Sequence, residues 1–372
     1  MKILIIGSRI SNPYLGPSVV LHNTLKGFIE IQKELINNNI MVTFLSLNDN
    51  VRKKISGNID MVGLKIYPSL TFTGEIQFTL NKPKETFDIV HSHDIYSLLP
   101  YLVSKIPTVF TLHGIFWKEK KFAKNKFLAE YTALLNTIRL RLYYNRLSKF
   151  VAISPYVIDE LTLKGFNTEK VVVIENPVSS EFFEVDKKEC NMILYPATLK
   201  LLKNQLGFLK AVSLIKAELK DYRIVFAGSG DMDYYLKLRD FTKKNDLNAV
   251  FLGSVPYNKM LKLFSQASLT ALISFQETLP MAILEALATG TPVITSNVGG
   301  LKYLIKNSFN GFLVNPNKPN IIAEKLLILI QDRGLRIQLG RNAKKDAERF
   351  RSENIAKKLL KLYMEIQRVS LS

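Results

Sequence analysis

Apolar runs recur along the chain, each closed by turn or polar residues and followed by a segment of mixed, helix-like periodicity. In the first half these runs are "KILIIG", "IMVTFLSL", "FDIVHSH", "TVFTLHG", "KFVAIS" and "KVVVIEN", with a helical stretch from after the first run to about Asn38. Buried runs alternating with helices are the pattern of parallel strands in an open α/β sheet. The second half repeats it with "NMILYPA", "YRIVFAGSG", "AVFLGSV", "LTALISF" and "PVITSN". Between the halves, "NPVSSEFFEVDKKECN" holds an Asn-Pro turn and a polar stretch, which places a linker at about residues 180 to 190. The pattern therefore predicts two α/β domains, 1–185 and 186–350, followed by a C-terminal helix, 351–372, that packs back toward the first.

Composition agrees with two cores: 372 residues with 47% hydrophobic content are enough for two domains. The apolar runs stop well short of the roughly 18 to 20 residues a spanning helix needs. The start, "MKILIIGSR", has one lysine before its short apolar run and no small-residue cleavage site. It reads as a first buried strand rather than a signal peptide, and a cytosolic protein is expected. Cys190 is the only cysteine, which excludes an internal disulfide and a thiolate metal cluster. The net charge of +19 calls for an acidic partner, whether nucleic acid, anionic lipid or a phosphorylated substrate. Within residues 1–185, 22 Lys/Arg face 16 Asp/Glu, and the segment 117–149 alone has 9 against 2. That segment supplies more than the whole excess of its half.

Ligands of open parallel sheets sit beyond the carboxyl ends of the strands. Those ends carry Gly7, His93, His113-Gly114, Ser154, Asn176, Gly228, Gly230, Gly253, Glu277 and Gly299-Gly300. The most informative stretch is "SFQETLPMAILEALATGTPVITSNVGG", residues 274 to 300. Here Thr278 or a neighbour is expected to cap a helix with Pro280 in its first turn and Gly290 at its end. Glu277 then lies in the loop before the helix, and the amides of Leu279, Met281 and Ala282 suit a phosphate. Glu285 follows Met281 by four residues and shares its helix face. One carboxylate for sugar hydroxyls, amides for a diphosphate and one carboxylate for a ribose diol together describe a site for a nucleotide sugar.

This stretch resembles the E-x7-E signature of the retaining GT-B type glycosyltransferases of family 4. "FDIVHSHD", "TVFTLHG", "FVAISPYVIDEL", "VVVIENPV", "VFAGSGD" and "VFLGSV" follow in that family's order over nearly the whole chain. The resemblance implies two Rossmann-like domains facing each other across a cleft, and transfer of a hexose from a UDP- or GDP-linked donor to a glycan or lipid-linked acceptor. It assigns Glu277 to the transferred sugar, Glu285 to the ribose, the turn at Ser254-Val255 to the base and Lys203 to the diphosphate. It also sets His113 toward the sugar and adds Gly16, Gly228, Leu279 and Met281 to the donor site. The chain departs from the family at Thr198, where an arginine is usual and Lys200 is the nearest substitute. It departs again at Tyr303 in place of an acid, at Pro17 in place of a second glycine in "LGPS", and at Asn176-Pro177 in place of Asn-Gly.

Other readings accompany these residues. His91 and His93 alternate on one strand, so one of them faces the ligand side, and His93, at the strand end, is the expected one. Asp231 and Asp233 have the D-x-D spacing that binds manganese in other glycosyltransferases, yet acidic residues are also ordinary in a first helical turn. No metal is expected. Trp117 opens the basic segment, which is either a solvated helix or a surface for anionic lipid headgroups on the inner face of the membrane. A nucleic-acid-binding protein is suggested by charge alone and opposed by the lack of a groove-reading or single-strand motif. A nucleotide-sugar epimerase would use the same scaffold.

Overall fold

The computed structural model describes residues 1–8, 10, 16–48, 52–65 and 73–371. The chain divides into two compact units, one of Met1–Ser179 with Phe350–Ser372 and one of Ser180–Arg349.

The first unit is built on a sheet of eight strands among the described residues: β1 (Lys2–Ser8), β2 (Met41–Leu47), β3 (Arg52–Ser56), β4 (Ile59–Leu64), β5 (Ile89–Ser92), β6 (Thr108–Leu112), β7 (Lys149–Ala152) and β8 (Val171–Val173). Their order is β3-β4-β2-β1-β5-β6-β7-β8. All neighbours run parallel except β3 and β4, which form an antiparallel pair at the edge. The central strands are buried on both faces, as covering helices require: Ile3, Leu4, Ile5 and Ile6 of β1 are all fully buried. One core joins Ile3, Ile5, Phe28, Phe44 and Val109 to Ile355, Leu359 and Tyr363 of the helix Ser352–Leu371. The end of the chain is thus part of this unit's interior.

The second unit holds β9 (Cys190–Pro196), β10 (Arg223–Ala227), β11 (Ala249–Phe251), β12 (Ala267–Leu272), β13 (Val293–Ser296) and β14 (Gly311–Val314), all parallel, in the order β11-β10-β9-β12-β13-β14. Tyr195, Phe208 and Phe226 pack edge to tilted face beneath it, and Phe226 stacks on Phe251. The fold is therefore α/β with two parallel-sheet units.

The apolar pattern missed three strands. The β3 sequence "RKKIS" is mostly polar because it is an edge strand with its lysines in water, and only the alternation in β4 serves the core. The four-residue "GFLV" of β14 is too short to stand out. The helical stretch to Asn38 is two helices, Gly16–Glu30 and Gln32–Asn37. Among the described residues, no helix is long and apolar enough to cross a membrane.

Candidate active site

In the second unit, the strand ends predicted to bind a donor are joined by a set of hydrogen bonds. After β9 the chain turns through Thr198 into a short 3-10 helix, Leu201–Lys203, and then into Asn204, which adopts left-handed backbone (φ 49°) and caps the helix Gln205–Leu214 through Gly207 N. This turn aims the Lys203 ammonium at Glu277, 2.7 Å from Oε1. Ser274 donates to the same oxygen at 2.6 Å. Among the described residues both of these hydrogen bonds go to Oε1 and none to Oε2.

The backbone around Glu277 is held from two sides. Phe275 N donates to the Leu202 carbonyl at 2.9 Å, tying the acid's loop to the lysine's turn. The Glu277 carbonyl accepts from Gly300 N at 3.0 Å, and Gly299 lies so close that a Cβ there would be 2.0 Å from that carbonyl. Gly299 also has φ 48°, so both space and conformation require glycine.

Tyr195 completes the clamp. Its phenol accepts from Ile273 N at 2.9 Å and donates to the Lys203 carbonyl, so one buried hydroxyl fixes the backbone leading into both charged residues. Burial raises its pKa well above the usual tyrosine value and keeps it a donor.

The helix of the signature stretch is Met281–Ala288, with Pro280 as its N-cap and no side-chain cap. Pro280 thus precedes the first turn instead of lying within it as expected, and Thr278 does not cap the helix. The proline side chain has no acceptor, so the amides of the first turn receive no side-chain cap. The first intrahelical bonds run from Ile283 and Leu284 to the Pro280 carbonyl. The Met281 and Ala282 amides precede them, at the positive end of the helix. Gly290, at φ 68°, follows the last turn. Glu285 is buried on this helix, and burial pushes its carboxyl up to about 8 against the opposing hydrogen bond to Tyr257.

Two glycine loops follow the ends of β10 and β11. Gly228 N donates to the Gly253 carbonyl at 2.8 Å, and Leu199 N donates to the Ser229 carbonyl at 3.0 Å. A Cβ on Gly228 (φ 150°) would lie 2.2 Å from the Ala197 carbonyl. The Ser229 and Ser254 hydroxyls are 2.7 Å apart, which links this loop to the turn ending at half-buried Val255. Thr198 is half-buried with its carbonyl accepting from Gln205 Nε2, while Lys200 is exposed beside it. Asp231 accepts from Tyr234 N as the N-cap of the helix Met232–Lys244, which accounts for the first acid of the D-x-D pair. Among the described residues no group of three or more His, Cys, Asp or Glu side chains is arranged to hold a metal ion.

In the first unit, the ends of β5 and β6 bring three histidines together. His91 is fully buried with both ring nitrogens engaged, Nδ1 2.6 Å from the Tyr363 hydroxyl and Nε2 2.7 Å from the Thr111 hydroxyl. That makes it structural. His93 Nδ1 lies 2.7 Å from His113 Nε2, with the rings stacked, and both rings are half-buried at the strand ends. Burial lowers the pKa of His113 to about 4 and that of His93 well below its usual value, so the pair shares one proton as neutral rings near pH 7. Trp117 is buried and donates to Glu160 Oε2, a core position rather than a surface one. Gly16 opens the helix Gly16–Glu30 with open space, nothing within 4 Å, where a Cβ would stand, and Pro17 beside it is exposed. Residues 11–15 lie outside the described residues.

Of the residues predicted, then, Lys203, Gly228, Val255, Glu277, Leu279, Met281 and Glu285 belong to the second unit, and Gly16 and His113 to the first. Tyr195, Ser274 and Tyr257 went unnoticed. Only Ser274, three residues before Glu277, had a legible position.

Residues 179–346 match the family described as Glycosyl transferases group 1, and residues 29–182 match Glycosyltransferase Family 4. The two matches together span residues 29–346 and support a family 4-like glycosyltransferase with the GT-B type of fold. The chain is similar to the "Uncharacterized glycosyltransferase MJ1178" of Methanocaldococcus jannaschii, 26% identical over 98% of this chain and 99% of the relative. It is also similar to the "UDP-Gal:alpha-D-GlcNAc-diphosphoundecaprenol alpha-1,3-galactosyltransferase" of Escherichia coli, 27% identical over 76% of each chain. Among solved structures, HepE of Anabaena in complex with UDP-glucose superposes with a TM-score of 0.73 at 18% identity, covering 98% of this chain and 100% of that one.

Proposed function

We propose that this protein is a retaining hexosyltransferase that moves a sugar from a UDP- or GDP-linked donor to a glycan or lipid-linked acceptor. The observation that carries this reading is the arrangement around Glu277: an acid with one oxygen held by Lys203 and Ser274, directly ahead of the helix that buries Glu285. Glu277 Oε2 takes hydroxyls of the transferred sugar, and Glu285 takes the ribose diol. The Lys203 ammonium and the Met281 and Ala282 amides meet the diphosphate, and the Ser254-Val255 turn meets the base. UDP is favoured by the relatives, since one is named for UDP-Gal and another is solved with UDP-glucose. A lipid-linked acceptor has the same support from the diphosphoundecaprenol substrate in the first of those names.

The reaction breaks the bond between the anomeric carbon and the diphosphate oxygen, and the electron pair leaves on that oxygen. The acceptor oxygen bonds to the same carbon from the same face, and its proton passes to the departing diphosphate. Lys203 stabilises the charge that develops there. A cation prepositioned by its pair with Glu277 needs little reorganisation at the moment of transfer. We assign His113 a contact with the transferred sugar by family resemblance, as a neutral hydrogen-bonding ring. No metal takes part, and the basic segment 117–149 faces an anionic membrane that holds the acceptor, on the cytoplasmic side.

The test is incubation with UDP- and GDP-sugars while nucleoside diphosphate and free or transferred sugar are followed. The expected result is release of nucleoside diphosphate, undiminished by chelator. Isomerised nucleotide sugar without release would make the protein an epimerase.

A further inference from the structure

The basic segment does not present the charge its sequence suggests. Arg139 is fully buried, with Nε 2.5 Å from Glu75 Oε1 and its guanidinium over the Tyr96 ring. Lys118 pairs with Glu160 at 3.0 Å, and Lys120 pairs with Glu130. Electrostatic attraction alone is therefore weaker than nine cationic residues imply.

The helix Lys126–Tyr144 shows something else. Asn125 caps it through Leu128 N at 3.0 Å, and Ala133, Leu140, Tyr143 and Tyr144 bury one face against the unit. The opposite face is apolar too. Phe127, Tyr131, Leu134, Ile138 and Leu142 are exposed, Phe127 by 85%, Leu134 by 59% and Leu142 by 58%. Their spacing of four, three, four and four residues puts all five on one stripe, about 22 Å long at 1.5 Å per residue. A helix apolar on both faces ordinarily has both faces covered. The exposed lysines Lys121, Lys124 and Lys126 stand at the Phe127 end of the stripe, and Arg141 and Arg146 are exposed at the other.

We propose that this stripe inserts into the headgroup region of an anionic lipid membrane, with the lysines at its start on the phosphates. The occupant follows from charge. Two copies of this chain packed stripe to stripe, parallel or antiparallel, would bring cationic ends together, whereas an anionic lipid surface neutralises both ends. The inference rests on the proposed lipid-linked acceptor and adds an apolar anchor to it. An anchor of this kind holds after salt has screened the lysines, since charges on a surface lose their reach beyond about 8 Å at physiological ionic strength.

The experiment is cosedimentation of the full chain with vesicles of phosphatidylglycerol and phosphatidylcholine, and with phosphatidylcholine alone, at low and at high salt. Binding to the anionic vesicles is expected to persist in part at high salt. The triple variant Phe127→Ser/Leu134→Ser/Leu142→Ser should bind at least about tenfold more weakly, about 1.4 kcal/mol, with its thermal midpoint unchanged. Lys121→Glu/Lys126→Glu should remove the preference for anionic lipid. Binding by the triple serine variant equal to the parent overturns the proposal. So does a dimer of the parent that the same variant makes monomeric, which would assign the stripe to a second copy. Nucleoside diphosphate release, measured on the same preparations with a soluble acceptor, separates the outcomes: vesicle binding without turnover refutes the proposed reaction and leaves the anchor, and turnover without vesicle binding does the reverse.

Discussion

Donor binding should expel a proton from Glu285. Its carboxyl stands at about 8 in the free protein because burial penalises the charge more than the Tyr257 hydrogen bond favours it. At pH 7 about nine molecules in ten hold it neutral. A ribose diol donates hydrogen bonds, which favour the carboxylate, so the bound-state pKa lies below the free one. Between those two values binding releases a proton, and affinity rises with pH. The rise is up to tenfold per unit, about 1.4 kcal/mol, and flattens above about pH 8. With a bound value below 6, affinity for UDP-glucose should improve close to tenfold from pH 6 to pH 7, roughly 0.9 proton being released at pH 7. Glu285→Gln keeps the shape and cannot ionise, so its affinity should be flat with pH. The same shift acts on folding. The folded value of about 8 lies above the ordinary 4.5, so the parent loses stability as pH rises from 4.5 to 8, and the Gln variant does not. Titration calorimetry in two buffers of different ionisation enthalpy counts the proton directly. No proton release at pH 7, or the same release from the Gln variant, would refute the assignment of Glu285 to the ribose.

Tyr195→Phe leaves the Ile273 amide and the Lys203 carbonyl without the phenol that joins them. We expect a loss of roughly 1 to 3 kcal/mol in denaturant unfolding, with kcat falling more than donor KM rises because Lys203 and Glu277 are loosened together. An unchanged kcat would make the tyrosine purely structural. Gly299→Ala forces a methyl to within 2.0 Å of the Glu277 carbonyl at left-handed backbone. Its destabilisation should exceed about 1 kcal/mol, and affinity for the sugar donor should fall more than affinity for free UDP. Equal losses on both ligands would place Glu277 away from the sugar.

The sheet strands with continuous apolar runs were legible because both their faces are buried, as in β1, β5, β6, β9 and β12. The edge strand β3 was not, since it keeps its lysines in water and shows no run. Glu277 and Glu285 were legible because their spacing about Pro280 belongs to one loop and one helix. The partners that position them come from elsewhere in the chain. Tyr195 lies 78 residues from the amide it holds and looks like any aromatic in an apolar strand. The histidines show the same limit: His91 and His93 stand two apart on one strand and so share a face, with ring centroids 4.5 Å apart, which corrects the expectation that alternation separates them; packing is what sets His91 apart, held by Tyr363, 272 residues away. Likewise the sequence counted Arg139 as surface charge, and its partner Glu75 is what takes it into the interior.

In the proposed function two acids grip different parts of one donor. The most direct test is calorimetric titration of UDP and of the UDP-sugar that turns over into the parent, Glu277→Ala and Glu285→Ala. Glu285→Ala should weaken both ligands, while Glu277→Ala should leave UDP affinity intact and lose the extra affinity or the turnover of the sugar donor. Equal weakening of free UDP by both substitutions would contradict this.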